Sequence, residues 1–222
     1  MGSGRTDAGV HATGQVASFL VPARWDAVEM HRALNAVLPR DIWVQGVCRV
    51  DTSFHPRFHA RRRRYRYRVA TDPAGASPFH RRWCWSLGES LDRTLLDQAA
   101  ALLSGTRSFQ AFAKAGQPER GYTCTVHEAA WIEWPLGVAF SITADRYLHH
   151  MVRYLTGTMV AVARGRRPLD DFRGLLENED GLETSPPAPP QGLFLAHVEY
   201  RDGPGRSAWS GSPVPAPPTP TT

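Results

Sequence analysis

The sequence predicts an α+β fold, and two patterns carry most of that prediction. Residues 64–70 alternate cleanly, with Tyr65, Tyr67 and Val69 on one side and Arg64, Arg66 and Arg68 on the other, the period-two signature of a half-buried strand. Residues 146–163 instead place Leu148, Met151, Val152, Leu155, Met159 and Val162 on one face at about 100° per residue, the signature of an amphipathic helix. Strand-like runs are mixed along the chain with three or four such helical ones, and that mixture argues for α+β.

The elements follow in order. Residues 1–14 carry Gly2, Gly4, Gly9 and Gly14 and read as a loop. Residues 16–20 read as a short strand. Asp26 is a candidate N-cap for a helix over 26–37, whose apolar face is Val28, Leu34 and Val37 and which Pro39 stops. Residues 42–50 have strand length, and 54–59 form a connection. The Pro/Gly/Ser-rich 72–78 is a loop. Ser90 is expected to cap a helix with Leu91, Leu95, Ala99 and Leu102 inward and Gly105 at its end. Residues 126–134 and 138–143 form a hairpin around Pro135, Leu136 and Gly137. A short helix follows Pro168, and 193–200 closes the fold as a strand. The Gly-, Ser-, Pro- and Thr-rich residues 201–222 are predicted to be a disordered tail.

Composition narrows the function classes. The 222 residues are 42% hydrophobic, enough for a sizeable core, with no apolar run of bilayer length and no opening signal-peptide pattern. A cytoplasmic protein is the expectation. Cys48, Cys84 and Cys124 are odd in number and form no C-x-x-C pair, which points to reduced thiols and not to zinc or disulfides. The net charge is +5, and of 26 basic residues only Lys114 is a lysine. Arginine forks suit phosphate and stack on bases, so a nucleic-acid partner fits, although a GC-rich coding sequence would give the same bias.

Three segments carry candidate chemistry. Asp7 sits between glycines with Arg5 and His11 nearby; it is either a carboxylate presented at a site or a turn aspartate bonded to its own backbone. Residues 57–68 hold seven arginines in twelve positions, with Tyr65 and Tyr67 interleaved. They form either an RNA-binding strand or an edge strand with a solvated basic face. On the 146–163 helix, Arg146, His150, Arg153, Gly157 and Arg164 share the face opposite the apolar one. Arg153 there is either solvent-facing or the partner of a carboxylate. His149 and His150, adjacent on a helix, would point apart, which disfavours a shared metal.

The segment GRTDAGVHATGQVASF at 4–19 resembles the signature of TruA-type tRNA pseudouridine synthases. Later segments resemble that family in order: LNAVLPRDI at 34–42, FHPRF at 54–58 with Pro56 in place of an alanine, RYRY at 64–67, YLHHMVR at 147–153 and GLFLAHVEY at 192–200. The resemblance implies Asp7 as catalytic carboxylate, Arg153 as its charge partner and Tyr65 packed on the target base. With the basic segments it nominates Arg5, His11, Arg61, Arg62, Arg63, Arg64, Arg66, Arg146 and His150 for substrate binding. It implies two ferredoxin-like α/β halves sharing a mixed, mainly antiparallel sheet with a central RNA-binding cleft, 1–54 in an incomplete first half and 55–200 in the second. It further implies the anticodon stem–loop of tRNA as substrate, a homodimer, and no cofactor or metal. The family carries a strand, a helix and a strand before this loop, where only Met1–Gly2–Ser3 stand here. A loop with one missing anchor, an exposed sheet edge and an exposed apolar helix face are therefore expected. The alternatives are a non-catalytic RNA-binding relic, and a metal-dependent nuclease built on Asp145, His149 and His150.

Overall fold

A computed structural model describes residues 1–114, 116 and 121–200; the predicted tail lies outside the described residues. In chain order the elements are β1 (His11–Ala12), α1 (Ala27–Val37), β2 (Ala60–Ala70), β3 (Trp85–Ser86), α2 (Arg93–Ala101), β4 (Gly105–Ser108), β5 (Thr123–Trp134), β6 (Gly137–Ala144), α3 (Met151–Ala163), α4 (Leu169–Glu177) and β7 (Leu193–Tyr200). The strands form one sheet in the order β1-β7-β2-β6-β5-β4, with β3 beside β2. The β1–β7 and β2–β3 pairs are parallel and the rest antiparallel. The fold is α+β, as the sequence predicts. No described helix is long and apolar enough to cross a membrane.

The arginine-rich strand is central because its alternate positions are apolar. Tyr65, Tyr67 and Val69 stand opposite Ile142, Phe140 and Val138 of β6 and are all buried. They share a core with Leu96 of α2, Leu155 and Met159 of α3 and Phe172 of α4. Tyr67 is fully buried yet satisfied, its hydroxyl donating to the Pro189 carbonyl at 2.6 Å. By alternation Arg64, Arg66 and Arg68 point to the other face of the sheet.

Several boundaries differ from the sequence reading. Asp26 caps α1 as expected, in a full capping box with Glu29. Of the apolar residues on α1, Met30 is buried while Val28 and Val37 are 59% and 78% exposed, in line with the exposed apolar helix face that the sequence predicts. Residues 16–20 form no strand; Ala17 makes a single bridge to Gly2. Residues 42–50 join no ladder either. The cap of α2 is Asp92 and not Ser90, its carboxylate accepting from the Leu95 N–H. That shift turns Leu96, Ala99 and Ala100 inward. α3 begins at Met151, five residues later than the periodicity suggests, because His150 sits in the left-handed region at φ 65°, which a right-handed helix cannot include.

Phe140 lies fully buried between the Tyr67 register position and the Trp131 ring at 5.3 Å. Phe140→Ala is expected to destabilise the protein by about 3–5 kcal/mol in a urea unfolding titration, as large-to-small changes at well-packed aromatic positions do.

Candidate active site

The loop around Asp7 is built by short-range bonds that aim its carboxylate inward. The Asp7 carbonyl accepts from the Val10 N–H at 3.0 Å, closing a turn in which Gly9 takes φ +80°, a value that favours glycine. Before the turn, Ser3 N–H donates to the Val16 carbonyl and Ser18 N–H to the Met1 carbonyl, at 2.8 and 2.9 Å. Ser3, completely buried, also bonds Gln15 through its hydroxyl. Arg63 then clamps this arm: its guanidinium donates to the carbonyls of Ser3, Arg57 and Asp145. After the turn, β1 pairs with β7. The loop is thus held on both sides, by the Met1–Ser3 arm and by β1.

The other half of the site comes from the start of α3. Arg153 donates from Nη1 to Asp7 Oδ2 at 3.3 Å and from Nε to the Ala188 carbonyl at 2.7 Å. The Ala188 N–H returns a bond to the Arg153 carbonyl at 2.9 Å. The strap carrying Ala188 lies so close to the helix that a Cβ on Gly157 would meet the Pro186 carbonyl oxygen at 2.2 Å. Only glycine lets this strap reach the Arg153 side chain. His149 and His150 complete the shell, their Nε2 atoms 3.3 Å from Asp7 Oδ1 and 3.1 Å from Oδ2. Burial, helped by Arg153, His149 and Lys114, holds the His150 imidazole below its ordinary value of 6.5 despite the Asp7 charge. A neutral His150 therefore serves Asp7 as an N–H donor.

The expectation that the two histidines diverge is corrected by the same left-handed residue. They lie on a turn and not on a helix, with ring centroids 4.2 Å apart. Asp7, His149 and His150 place one ligand atom each within 4.8 Å of the others, so they could in geometry hold a cation. The Arg153 guanidinium on the same carboxylate opposes that by charge repulsion. Asp145, the nuclease reading's carboxylate, instead caps backbone: it accepts from the N–H groups of Thr125 and Arg146.

The other nominated residues separate into groups. Tyr65 lies close enough to Asp7 to feel its charge, is 9% exposed, and meets Tyr147 edge-on at 4.8 Å. Burial first, and the Asp7 charge second, raise its phenol above the ordinary tyrosine value, so it stays protonated. Arg5 and Arg61 are exposed, and Arg62 faces Glu199 at 3.9 Å. Arg146 bonds the Thr123 carbonyl. Arg64 pairs with Glu128 at 3.0 Å on the far face of the sheet, where Arg66 also lies, exposed. His11 packs between Trp83 and Phe194, on the Phe194 face of β7. Sequence reasoning missed the contact of His149 with Asp7, because only the left-handed backbone at His150 turns it there. Two cavities lie away from Asp7, one of about 460 Å³ by Glu89 and Arg164 and one of about 250 Å³ by Arg64, Arg66 and Arg68. Asp7 itself, 26% exposed, stands outside both, in a position open to a large substrate.

A carboxylate paired with a largely buried arginine and lying near a buried tyrosine is a charged site of the kind that enzymes use. The family model described as tRNA pseudouridine synthase matches residues 99–201. The tRNA pseudouridine synthase A of Moorella thermoacetica is 38% identical over 198 residues, 89% of this chain and 80% of that protein. That of Myxococcus xanthus is 40% identical over 204 residues, 91% and 76% respectively. The chain belongs to the tRNA pseudouridine synthase family and is an isomerase.

Two outcomes follow from this geometry. Gly157→Ala must displace the strap from Arg153, and overpacking of that kind costs about 1–3 kcal/mol in denaturant unfolding. The folded chain resists a proton that the unfolded chain accepts near 6.5 at His150. The contribution of this group is therefore intact above that pH and lost as the pH falls below it. His150→Asn, which tolerates the left-handed backbone, should flatten the acid-side fall of Tm measured between neutral pH and about pH 5.

Proposed function

We propose that this chain converts uridine to pseudouridine in the anticodon stem–loop of tRNA, with Asp7 as the reacting carboxylate and no cofactor. The observation that carries the reading is the Asp7 carboxylate held at 3.1–3.3 Å by Arg153, His149 and His150. The curated relatives are named for tRNA, which supports the substrate. In the reaction the N1–C1′ bond breaks, the uracil turns, and C5 bonds to C1′. The proton lost from C5 is balanced by the one gained at N1, so no electrons leave or enter. One ionised carboxylate at the ribose serves this chemistry, and the Arg153 guanidinium gives Asp7 a charge-assisted partner. The target base must leave its stack, and Tyr65, near enough to Asp7 to feel its charge, is the aromatic this reading assigns to receive it.

The proposal extends to architecture. Within 60–200 the main elements run β-α-β-β-α-β, from β2 through α2, β5, β6 and α3 to β7, which supports a ferredoxin-like second half. Residues 1–54 then belong to the first half. A cytoplasmic homodimer, implied by the family resemblance, completes the reading. The anchored Asp7 loop favours catalysis over a non-catalytic relic.

Asp7→Asn keeps the shape and removes the charge. It should abolish pseudouridine formation in a tRNA transcript, read by chemical modification and primer extension, while tRNA affinity changes by less than about twofold. Tyr65→Phe should retain substrate binding, whereas Tyr65→Ala should lose about 1–3 kcal/mol of stacking. Turnover by Asp7→Asn at the parent rate would overturn the assignment.

A further inference from the structure

The turn at residues 78–83 is not used by the chemistry above, yet it is built to present side chains. Phe79 is 83% exposed and Trp83 45%. Isolated exposed aromatics are common and need no explanation. Here two flank Arg81 and Arg82, which are exposed and make no ion pair or side-chain hydrogen bond among the described residues. No Asp or Glu occurs between Asp72 and Glu89, so the local charge is uncompensated along the chain. The turn is also stiff. Ser77 O accepts from the N–H groups of His80 and Arg81 at 3.1 and 2.9 Å, and His80 O accepts from Trp83 N–H at 2.8 Å. The buried Cys84 thiol donates to His80 O at 3.3 Å. A backbone held this way loses little freedom on binding, although the exposed side chains still have to be ordered.

The turn is joined to the catalytic loop. His11, four residues after Asp7, donates from Nε2 to the Arg82 carbonyl at 2.9 Å, and its ring packs 4.7 Å from Trp83. An exposed ring beside unpaired guanidiniums fits unpaired RNA, in which bases stack on the aromatic and phosphates meet the arginines. An acidic protein surface would use the charges but leave Phe79 without a role.

We infer that the 78–83 turn is a second RNA-contact element, in which Phe79 stacks on an unpaired base of the substrate and Arg81 and Arg82 hold its flanking phosphates. The inference rests on the proposed tRNA substrate but is read by binding and not by turnover. The intact chain and its Phe79→Ala, Phe79→Trp and Arg81→Gln/Arg82→Gln variants are titrated with an unmodified tRNA transcript at several salt concentrations. Phe79→Ala should weaken binding about 5- to 140-fold, the range of one base stack, and Phe79→Trp should bind as the parent does. The double arginine variant should flatten the log–log salt slope by about 1.4, or roughly 0.7 per single-strand contact. Melting temperatures should not move, because these side chains are exposed. Parent-like affinity and slope in Phe79→Ala and the arginine variant would overturn the inference. So would a fall in Tm that Phe79→Trp does not repair, or a change in self-association with RNA affinity intact. A parent that binds tRNA without forming pseudouridine sinks the proposed function alone; a parent that does not bind tRNA sinks both.

Discussion

The ion pair between Asp7 and Arg153 joins residues 146 positions apart in the chain, and most of the surrounding structure exists to hold it. Arg153 is only 12% exposed and Asp7 26%, so both charges have lost much of their hydration. Attraction between two partly buried ions repays that cost only when geometry is good and the remaining donors and acceptors are met. Each partner is accordingly tied down more than once. Arg153 spends its Nε on Ala188, the strap carrying Ala188 is admitted by Gly157, and Asp7 takes two further donors from His149 and His150. The sheet order matters for the same reason. β1 adds to β7, the last described strand, and so holds the Asp7 loop beside the start of α3, where Arg153 lies.

The arginines show why charge density alone is a poor map of a nucleic-acid surface. Those of β2 and the segment before it meet different fates within a few residues. Arg63 has become structural, its guanidinium lowered from its ordinary pKa by burial and spent on three backbone carbonyls. Arg64 is matched by Glu128, and Arg68 lies 4.3 Å over the Phe194 ring. Arg61 and Arg66 remain exposed. A strand puts alternate residues on opposite faces, so a run of consecutive arginines cannot all face one ligand.

How much of this was legible depended on whether a feature is periodic. The central strand, the hairpin, the closing strand at Leu193–Tyr200 and the cap at Asp26 follow from local patterns of apolarity and capping, and they stand where the patterns put them. Features set by partners did not show. Residues 42–50 have strand-like composition, but a strand is defined by a neighbour. The start of α3 was misplaced because apolar spacing continues through Leu148, whereas the backbone breaks at His150. That break is what brings two adjacent histidines onto one carboxylate, and no helical projection could reveal it. The pairing of Asp7 with Arg153 was legible only through family resemblance; neither residue's neighbours point to the other.

Among the described residues the site has no wall on its solvent side. Arg153 and His150 close one side of Asp7, but His149 is 57% exposed and Asp7 keeps a quarter of its surface. Fixed dipoles and charges act most strongly when water is excluded. A small enclosed cavity would achieve that by itself; a site open to solvent achieves it only when the substrate covers it. In the proposed reaction the covering group is the extruded nucleotide, so recognition and activation become one event. RNA contacts remote from Asp7 then serve the chemistry by lowering the cost of that coverage, because binding energy gained away from the reacting atoms offsets unstacking of the target base. A basic, aromatic periphery around a sparsely walled carboxylate is the arrangement that logic requires.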